Sequence, residues 1–96
     1  MATTTTIEGT KATIAISGWL DTGSAPDLEK ALAELDPSCT ELVIDLAELE
    51  YISSAGLRQL VVAHRKSRGN LTVVNVPDDV MAILTMAGFD KRLHIV

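Results

Sequence analysis

The stretch from Leu42 to Leu60, LVIDLAELEYISSAGLRQL, passes directly from a strand pattern to a helix pattern. Residues 42–46 form a near-continuous apolar run, which is typical of a strand covered on both faces. A short loop and two serines follow, and Leu57, Leu60 and Val61 then recur at helical spacing. A strand that gives way to a helix in this manner predicts an α/β fold.

Further strand and helix patterns flank this stretch on both sides. Runs of β-branched or alternating apolar residues predict strands over residues 3–6, 11–16, 71–76 and 92–96. Apolar stripes with a period near 3.6 predict helices over residues 24–35 and 77–87. The order is therefore β-β-α-β-α-β-α-β, and its repeated strand–helix–strand units predict an α/β fold with a mainly parallel or mixed sheet of four to five strands.

The connections carry signals of their own. Glu8-Gly9-Thr10 is typical of a hairpin turn, and residues 18–23 are predicted to form a loop. Ser24, with Asp27 three residues further on, resembles a capping box at the start of the first helix. The second helix is expected to end near Gly69.

Composition limits the classes of function. A chain of 96 residues suffices for one domain, residues 1–96, and one Trp, one Tyr and one Phe leave its core to aliphatic side chains. The net charge of −5 argues against nucleic acid or an anionic membrane as a partner. The single cysteine, Cys39, excludes an internal disulfide and favours a reducing cytoplasm. No secretion signal, membrane insertion or cofactor is expected.

Ser53 and Ser54 stand where the strand gives way to the helix, at the edge where α/β folds bind ligands. Serine is also a favoured N-cap, so an arbitrary pair of this kind most often caps the helix. The functional alternative is a phosphoacceptor, because the positive helix end tolerates a phosphate of about −1.5 to −2 charge. A modification that leaves the fold intact but changes the surface would act as a switch.

The other chemistries have weaker support. His64 lies ten residues after Ser54, about 15 Å along a helix, so a serine–histidine pair is not expected. Two isolated histidines and one cysteine give no zinc spacing. A nucleotide-hydrolysing enzyme would need a Gly-x-x-x-x-Gly-Lys loop, which the sequence lacks. We therefore expect no catalytic residue, no metal and no enzyme.

Several single residues have two readings each. Trp19 is either a core residue or an exposed interface anchor, and Asp21 either stabilises its turn or contacts a partner. Gly56 is a poor helix former, so close approach by a partner backbone or by a neighbouring strand is expected to exclude a side chain there. Met81 and Met86 are at helical spacing and are interpreted as core filler.

Three motifs resemble those of the STAS-domain anti-sigma factor antagonists, and together they cover nearly the whole chain. The main one is Tyr51-Ile52-Ser53-Ser54-Ala55-Gly56-Leu57-Arg58, preceded by Val43-Ile44-Asp45-Leu46. Gly18-Trp19-Leu20-Asp21 is similar to the family's Gly-x-Leu-Asp after the second strand. Residues 86–90 and 93–95 are similar to its C-terminal helix and closing strand.

The resemblance implies a cytoplasmic bacterial regulator of transcription that works by partner switching. Its expected partners are an anti-sigma factor that is also a serine kinase of the histidine-kinase-like ATPase fold, and a PP2C-type phosphatase. Ser54 is the implied phosphoacceptor, with Ser53 as the alternative. The implied contact surface consists of Asp21, Ser53, Ser54, Ala55, Gly56, Leu57 and Arg58.

Two positions depart from the family pattern, since Ser53 replaces an acidic residue and Ala55 replaces a hydroxyl residue. A related role stays open, that of a STAS subunit of a membrane lipid-transport ATPase, which docks without phosphorylation.

Overall fold

The computed structural model describes all residues from Met1 to Val96 and contains five strands and three helices. The strands are β1 (Ala2–Glu8), β2 (Lys11–Leu20), β3 (Glu41–Ile52), β4 (Leu71–Val74) and β5 (His94–Ile95). The helices are α1 (Ala25–Ala33), α2 (Ser54–Lys66) and α3 (Asp78–Met86). The predicted order of elements is confirmed. None of the three helices is both long enough and apolar enough to cross a membrane.

The five strands form one sheet in which spatial order equals chain order, β1-β2-β3-β4-β5. β1 and β2 are antiparallel and are joined by the predicted hairpin turn, where Gly9 has a φ of +61°. That value suits the first central residue of a type II′ turn. The remaining neighbours are parallel, and one helix connects each parallel pair. The predicted mainly parallel sheet is confirmed.

The core lies on one side of the sheet. Ile14, Ile44 and Val73 are neighbours across three strands, and all three are fully buried. They belong to one cluster of 19 buried residues that also includes side chains from each helix, namely Leu28, Leu32, Leu60, Ala63, Val80 and Leu84. Right-handed crossovers between successive strands place every helix on the same side of a sheet.

The opposite side of the sheet carries no helix. Val43 and Asp45, which alternate with the buried residues of β3, are only half-buried, and Ala47 is exposed. The expectation that β3 is covered on both faces was therefore wrong. A polar side chain at Asp45 fits this arrangement, because a strand with one solvated face alternates between apolar and polar residues.

The strand ends also differ from the prediction. β2 continues through Trp19 and Leu20, which were expected in a loop, and β3 continues to Ile52. The two extensions pair with each other, Trp19 with Tyr51 and Leu20 with Ile52. Both segments remain strands because each supplies backbone hydrogen-bond partners for the other.

Two irregularities shape the end of β3. Its register with β2 shifts between Ala15 and Ser17 and again between Gly18 and Trp19, each time by one extra residue in β3. Such bulges change which side chains face the core. The buried positions of this segment are consequently spaced three apart, at Leu46, Leu49 and Ile52.

The C-terminal region follows the prediction with shorter elements. β4 ends at Val74, since Asn75 has a φ of +56°, and β5 has two residues. Met81 is half-buried, but Met86 is 88% exposed at the last residue of α3. The interpretation of Met86 as core filler was therefore wrong. Its spacing in the sequence places Met86 near the apolar stripe of α3, but spacing alone does not show where along the helix that stripe ends.

Candidate functional site

The start of α2 is fixed by the end of β2. Ser53 is the N-cap residue and has an extended backbone, with φ −99° and ψ 177°. Its N–H donates to the Leu20 carbonyl at 2.9 Å, and its own carbonyl accepts from the Leu57 N–H at 2.9 Å. Ser54 is the first helical residue and is exposed. The helix therefore begins at the carboxyl edge of the sheet.

The two serine hydroxyls have different environments. Ser53 Oγ is buried and has no hydrogen-bond partner, and it makes no side-chain cap bond to the helix. Ser54 carries the accessible hydroxyl of the pair. The first turn of α2 contains no acidic residue, so the positive end of the helix dipole is not neutralised by a carboxylate.

Gly56 is buried where α2 crosses the ends of two strands. A Cβ atom there would lie 2.7 Å from Ile52 Cγ1 and 2.9 Å from the Leu20 carbonyl oxygen. Both distances are shorter than van der Waals contact allows, and the second involves backbone. The close approach expected at Gly56 is thus that of neighbouring strands.

The remaining candidates on α2 divide by exposure. Arg58 is exposed, one turn after Ser54 on the same side of the helix. Ala55 and Leu57 are half-buried, and Leu57 packs against the core. The accessible surface at the start of the helix is therefore formed mainly by Ser54 and Arg58.

Asp21 organises the turn before α1. Its carboxylate accepts hydrogen bonds from the Ser24 N–H at 3.1 Å and the Gly23 N–H at 3.0 Å, with the Ser24 hydroxyl also at 3.1 Å. The bonds from the Ser24 backbone and side chain hold the pKa of Asp21 below its ordinary value. Of the two roles considered for Asp21, turn stabilisation is the one with visible contacts.

The capping box predicted at Ser24 and Asp27 is absent. Ser24 is the N-cap residue of α1, but its side chain makes no cap bond to the helix. Its hydroxyl instead lies 2.7 Å from the Trp19 carbonyl oxygen and accepts from the Asp21 N–H at 2.9 Å. The hydroxyl is therefore used to close the turn, not to cap the helix.

An aromatic pair borders the serines at the same edge. Trp19 and Tyr51 have ring centroids 5.2 Å apart and planes inclined by 47°. Trp19 is 57% exposed and Tyr51 is 40% exposed, so Trp19 is not a core residue. In the sequence, Tyr51 stood out only as the first residue of the motif around Ser54. The sequence feature that could have indicated the pair is that each aromatic residue directly precedes an apolar residue at the end of a strand.

One sizeable cavity is remote from the serines. Its volume is about 590 Å³, and it lies near the start of β2 and β3, where Ala12, Glu41 and Leu42 contribute to its lining. Cys39 also lines it, as a free thiol. His64 lies in the last turn of α2, at the opposite end of the helix from Ser54. Neither the cavity nor His64 adds a group to the start of α2.

Comparison with known families shows which family the chain belongs to. A family model described as "Mlab, STAS domain" matches residues 3–96. The match spans nearly the whole chain, from β1 to beyond β5. The chain therefore belongs to the STAS-domain family.

Individual relatives narrow the class to anti-sigma factor antagonists. BtrV of Bordetella bronchiseptica, which is named as an anti-sigma factor antagonist, is 32% identical over 78 residues, 77% of this chain and 67% of BtrV. A crystal structure of an anti-sigma factor antagonist from Mycobacterium paratuberculosis is 27% identical, with a TM-score of 0.82 over 98% of this chain and 83% of that one. Bacillus SpoIIAA, solved in its phosphorylated form, shares the fold at 13% identity, with a TM-score of 0.67 over 99% of this chain and 91% of SpoIIAA.

Proposed function

We propose that this chain is an anti-sigma factor antagonist that binds an anti-sigma factor with serine kinase activity and is released when Ser54 is phosphorylated. The observation that carries the proposal is the exposed Ser54 hydroxyl at the first residue of α2. The adjacent Ser53 hydroxyl is enclosed, so a kinase would reach Ser54 first. The phosphorylated form of SpoIIAA, which has the same fold, supports a switch of this kind.

Local electrostatics make Ser54 a position where the fold tolerates a phosphate. The group would add about −1.5 to −2 charge at the positive end of α2. Arg58, one turn further along, is within the spacing at which helical side chains form ion pairs. The isolated chain should thus stay folded, whereas a partner that covers Ser54 would have to desolvate the new charge. Release follows from that difference.

The site is tested by incubating the chain with its anti-sigma factor kinase and ATP, followed by intact-mass analysis and peptide mapping. We expect one phosphoryl group, located on Ser54. The Ser53→Ala variant should accept it as wild type does, and Ser54→Ala should accept none. Phosphate mapped to Ser53, or unchanged incorporation into Ser54→Ala, would contradict the assignment.

The switch is tested separately by titration against the same kinase without ATP. Ser54→Asp adds a charge that is locally favourable by about 0.3–1 kcal/mol at a helix N-terminus, so its circular dichroism should match wild type. An unpaired charge in an interface costs several kcal/mol, so its affinity should fall at least about tenfold. Ser54→Asn has nearly the same shape without the charge and is the matched control. Equal affinities for the Asp and Asn variants would argue against a charge-based release.

A second candidate is a STAS subunit of a membrane lipid-transport ATPase that docks without phosphorylation. The departures at Ser53 and Ala55 from the antagonist motif favour it. Under this alternative, kinase and ATP leave the mass unchanged, and a purified transporter binds wild type and Ser54→Ala equally.

A further inference from the structure

Trp19 and Tyr51 form an exposed apolar surface that the fold itself does not require. Each directly precedes a fully buried residue, Leu20 or Ile52, and successive side chains of a strand point to opposite faces. Both rings therefore lie on the face of the sheet that carries no helix. Aromatic side chains paired in this way present a large contact area with little conformational freedom left to lose.

The surroundings of the pair are acidic. On the same face, the preceding cross-strand pair is Ser17 with Glu48, and the one before it is Ala15 with Asp45. Glu50 adjoins Tyr51 in the chain, and β3 contains no lysine or arginine over its whole length. The nearest basic residue on β2 is Lys11, at the far end of that strand. This face thus offers a cation both an aromatic surface and carboxylates, while the positive group already present at this edge is the Met1 amino group beside Gly18.

The aromatic pair lies at the same edge of the sheet as the proposed switch. Tyr51 precedes Ser54 by three residues. Leu20, which follows Trp19, accepts the hydrogen bond from the Ser53 N–H. A protein that binds across this edge, over the start of α2 and the ends of β2 and β3, can contact both Ser54 and the aromatic pair.

We propose that Trp19 and Tyr51 anchor the anti-sigma factor kinase by receiving one of its arginine side chains, with Glu48 supplying charge complementarity. This inference rests on the proposed function. Arginine stacks on aromatic faces and is weakly hydrated, and tryptophan, tyrosine and arginine are the residues that most often dominate binding energy. A second copy of the chain fits less well, because two acidic surfaces repel and each chain has a net charge of −5.

The chain provides its own probe, since Trp19 is its sole tryptophan. The wild-type chain is titrated with a variant of its anti-sigma factor kinase in which every tryptophan is replaced by phenylalanine. Binding should shift the fluorescence emission of Trp19 to shorter wavelength. The shift follows from burial of an indole that is 57% exposed in the free chain. Binding without any change in emission would overturn the proposal.

Mutagenesis then measures what the pair contributes. Trp19→Ala and Tyr51→Ala should each weaken binding at least about tenfold, as expected of residues at the centre of an interface. Trp19→Phe, which retains an aromatic face, should lose less, and it guards against misfolding of the alanine variants. Met86→Ala removes a side chain that is 88% exposed on α3 and should leave the affinity unchanged.

The cation is identified on the kinase side. Surface arginines of the kinase are replaced by alanine one at a time, and each variant is tested against wild type and Trp19→Ala. The anchoring arginine should weaken binding to wild type but have little further effect on binding to Trp19→Ala. If no arginine shows this coupling, the arginine assignment is wrong.

The two proposals fail in different ways. If Ser54→Asp abolishes binding while Trp19→Ala and Tyr51→Ala bind as wild type, the aromatic anchor is wrong and the switch stands. If the wild-type chain does not bind the kinase, the proposed function is wrong and the anchor is rejected with it.

Discussion

Ser53 and Ser54 are adjacent in the chain, yet the turn from strand to helix gives them different chemistry. Ser53 ends the extended backbone and its hydroxyl is enclosed, whereas Ser54 begins α2 in solvent. An N-cap serine ordinarily accepts a hydrogen bond from the first helical turn. Ser53 makes no such bond, so ordinary capping does not account for this residue.

Gly56 gives a direct test of packing at the same junction. Gly56→Ala should destabilise the chain by about 1–3 kcal/mol, because the added Cβ overpacks a site bounded by the Leu20 carbonyl oxygen. Urea unfolding at neutral pH measures the loss. Gly23→Ala is the control, since a Cβ there would lie 3.5 Å from Asp21 Oδ1, an ordinary contact. Similar stability of the two variants would show that Gly56 is not a packing constraint.

At the scale of elements, β3 shows what sequence patterns reveal and what they miss. Its apolar residues from Leu42 to Leu46 alternate in burial as a strand requires, and the helix that follows begins where the serines indicated. The extension to Ile52 was missed because its buried residues are three apart, a spacing that fits neither a strand nor a long helix. The cause is the pair of bulges against β2, which depends on a partner strand distant in sequence.

The candidate site was predictable to a similar degree. The motif around Ser54 placed the helix start correctly, because capping and amphipathic patterns are local in sequence. The pairing of Trp19 with Tyr51 was not predictable, since it requires the register between β2 and β3. The close contact at Gly56 was anticipated, but only the crossing of α2 over the strand ends shows that strands cause it.

The hydrogen bonds in the turn before α1 predict how the stability of the fold changes at low pH. The pKa of the Asp21 carboxyl is held low by hydrogen bonds from Ser24 and Gly23. A carboxyl whose pKa is lower in the folded state stabilises the fold above its unfolded pKa, and that contribution is lost as the pH falls through the folded value. Asp21→Asn should therefore be less stable than wild type at neutral pH, and the gap should close as the pH falls below 3.8.

Urea midpoints of wild type and Asp21→Asn, measured from neutral pH down to about pH 2.5, check the prediction. Ser24→Ala removes one hydrogen-bond donor to the Asp21 carboxylate. In a chain that retains Asp21, this variant should therefore lose less stability than wild type as the pH falls. A gap that is constant across the pH range would show that the charge of Asp21 does not stabilise the turn.

At the scale of the whole molecule, stability depends on one cluster under one side of the sheet, which is aliphatic except for Phe89. The structure contains a single ion pair, Lys30 with Glu34 at 3.9 Å, and both side chains are largely exposed. Exposed pairs of this kind contribute little to stability. Packing in the cluster must therefore supply most of the energy that stabilises the fold. The charged side chains are available to contact a partner.

α3 offers a matched pair of variants for this point. Leu84 is fully buried, so Leu84→Ala should cost about 2–5 kcal/mol and lower the melting temperature by roughly 4–8 °C per kcal/mol. Met86 is on the same helix but exposed, and Met86→Ala should change stability by less than about 0.5 kcal/mol. Thermal unfolding followed by circular dichroism distinguishes them. A comparable loss in both would contradict the position of the core.

The equality of spatial and chain order in the sheet bears on how the molecule is made. No strand has to be inserted between two strands that precede it in the chain. Each helix and strand after the β1–β2 hairpin adds to an edge formed by residues that precede it in the chain. Up to the last strand, then, the order of translation is also an order in which the sheet can grow.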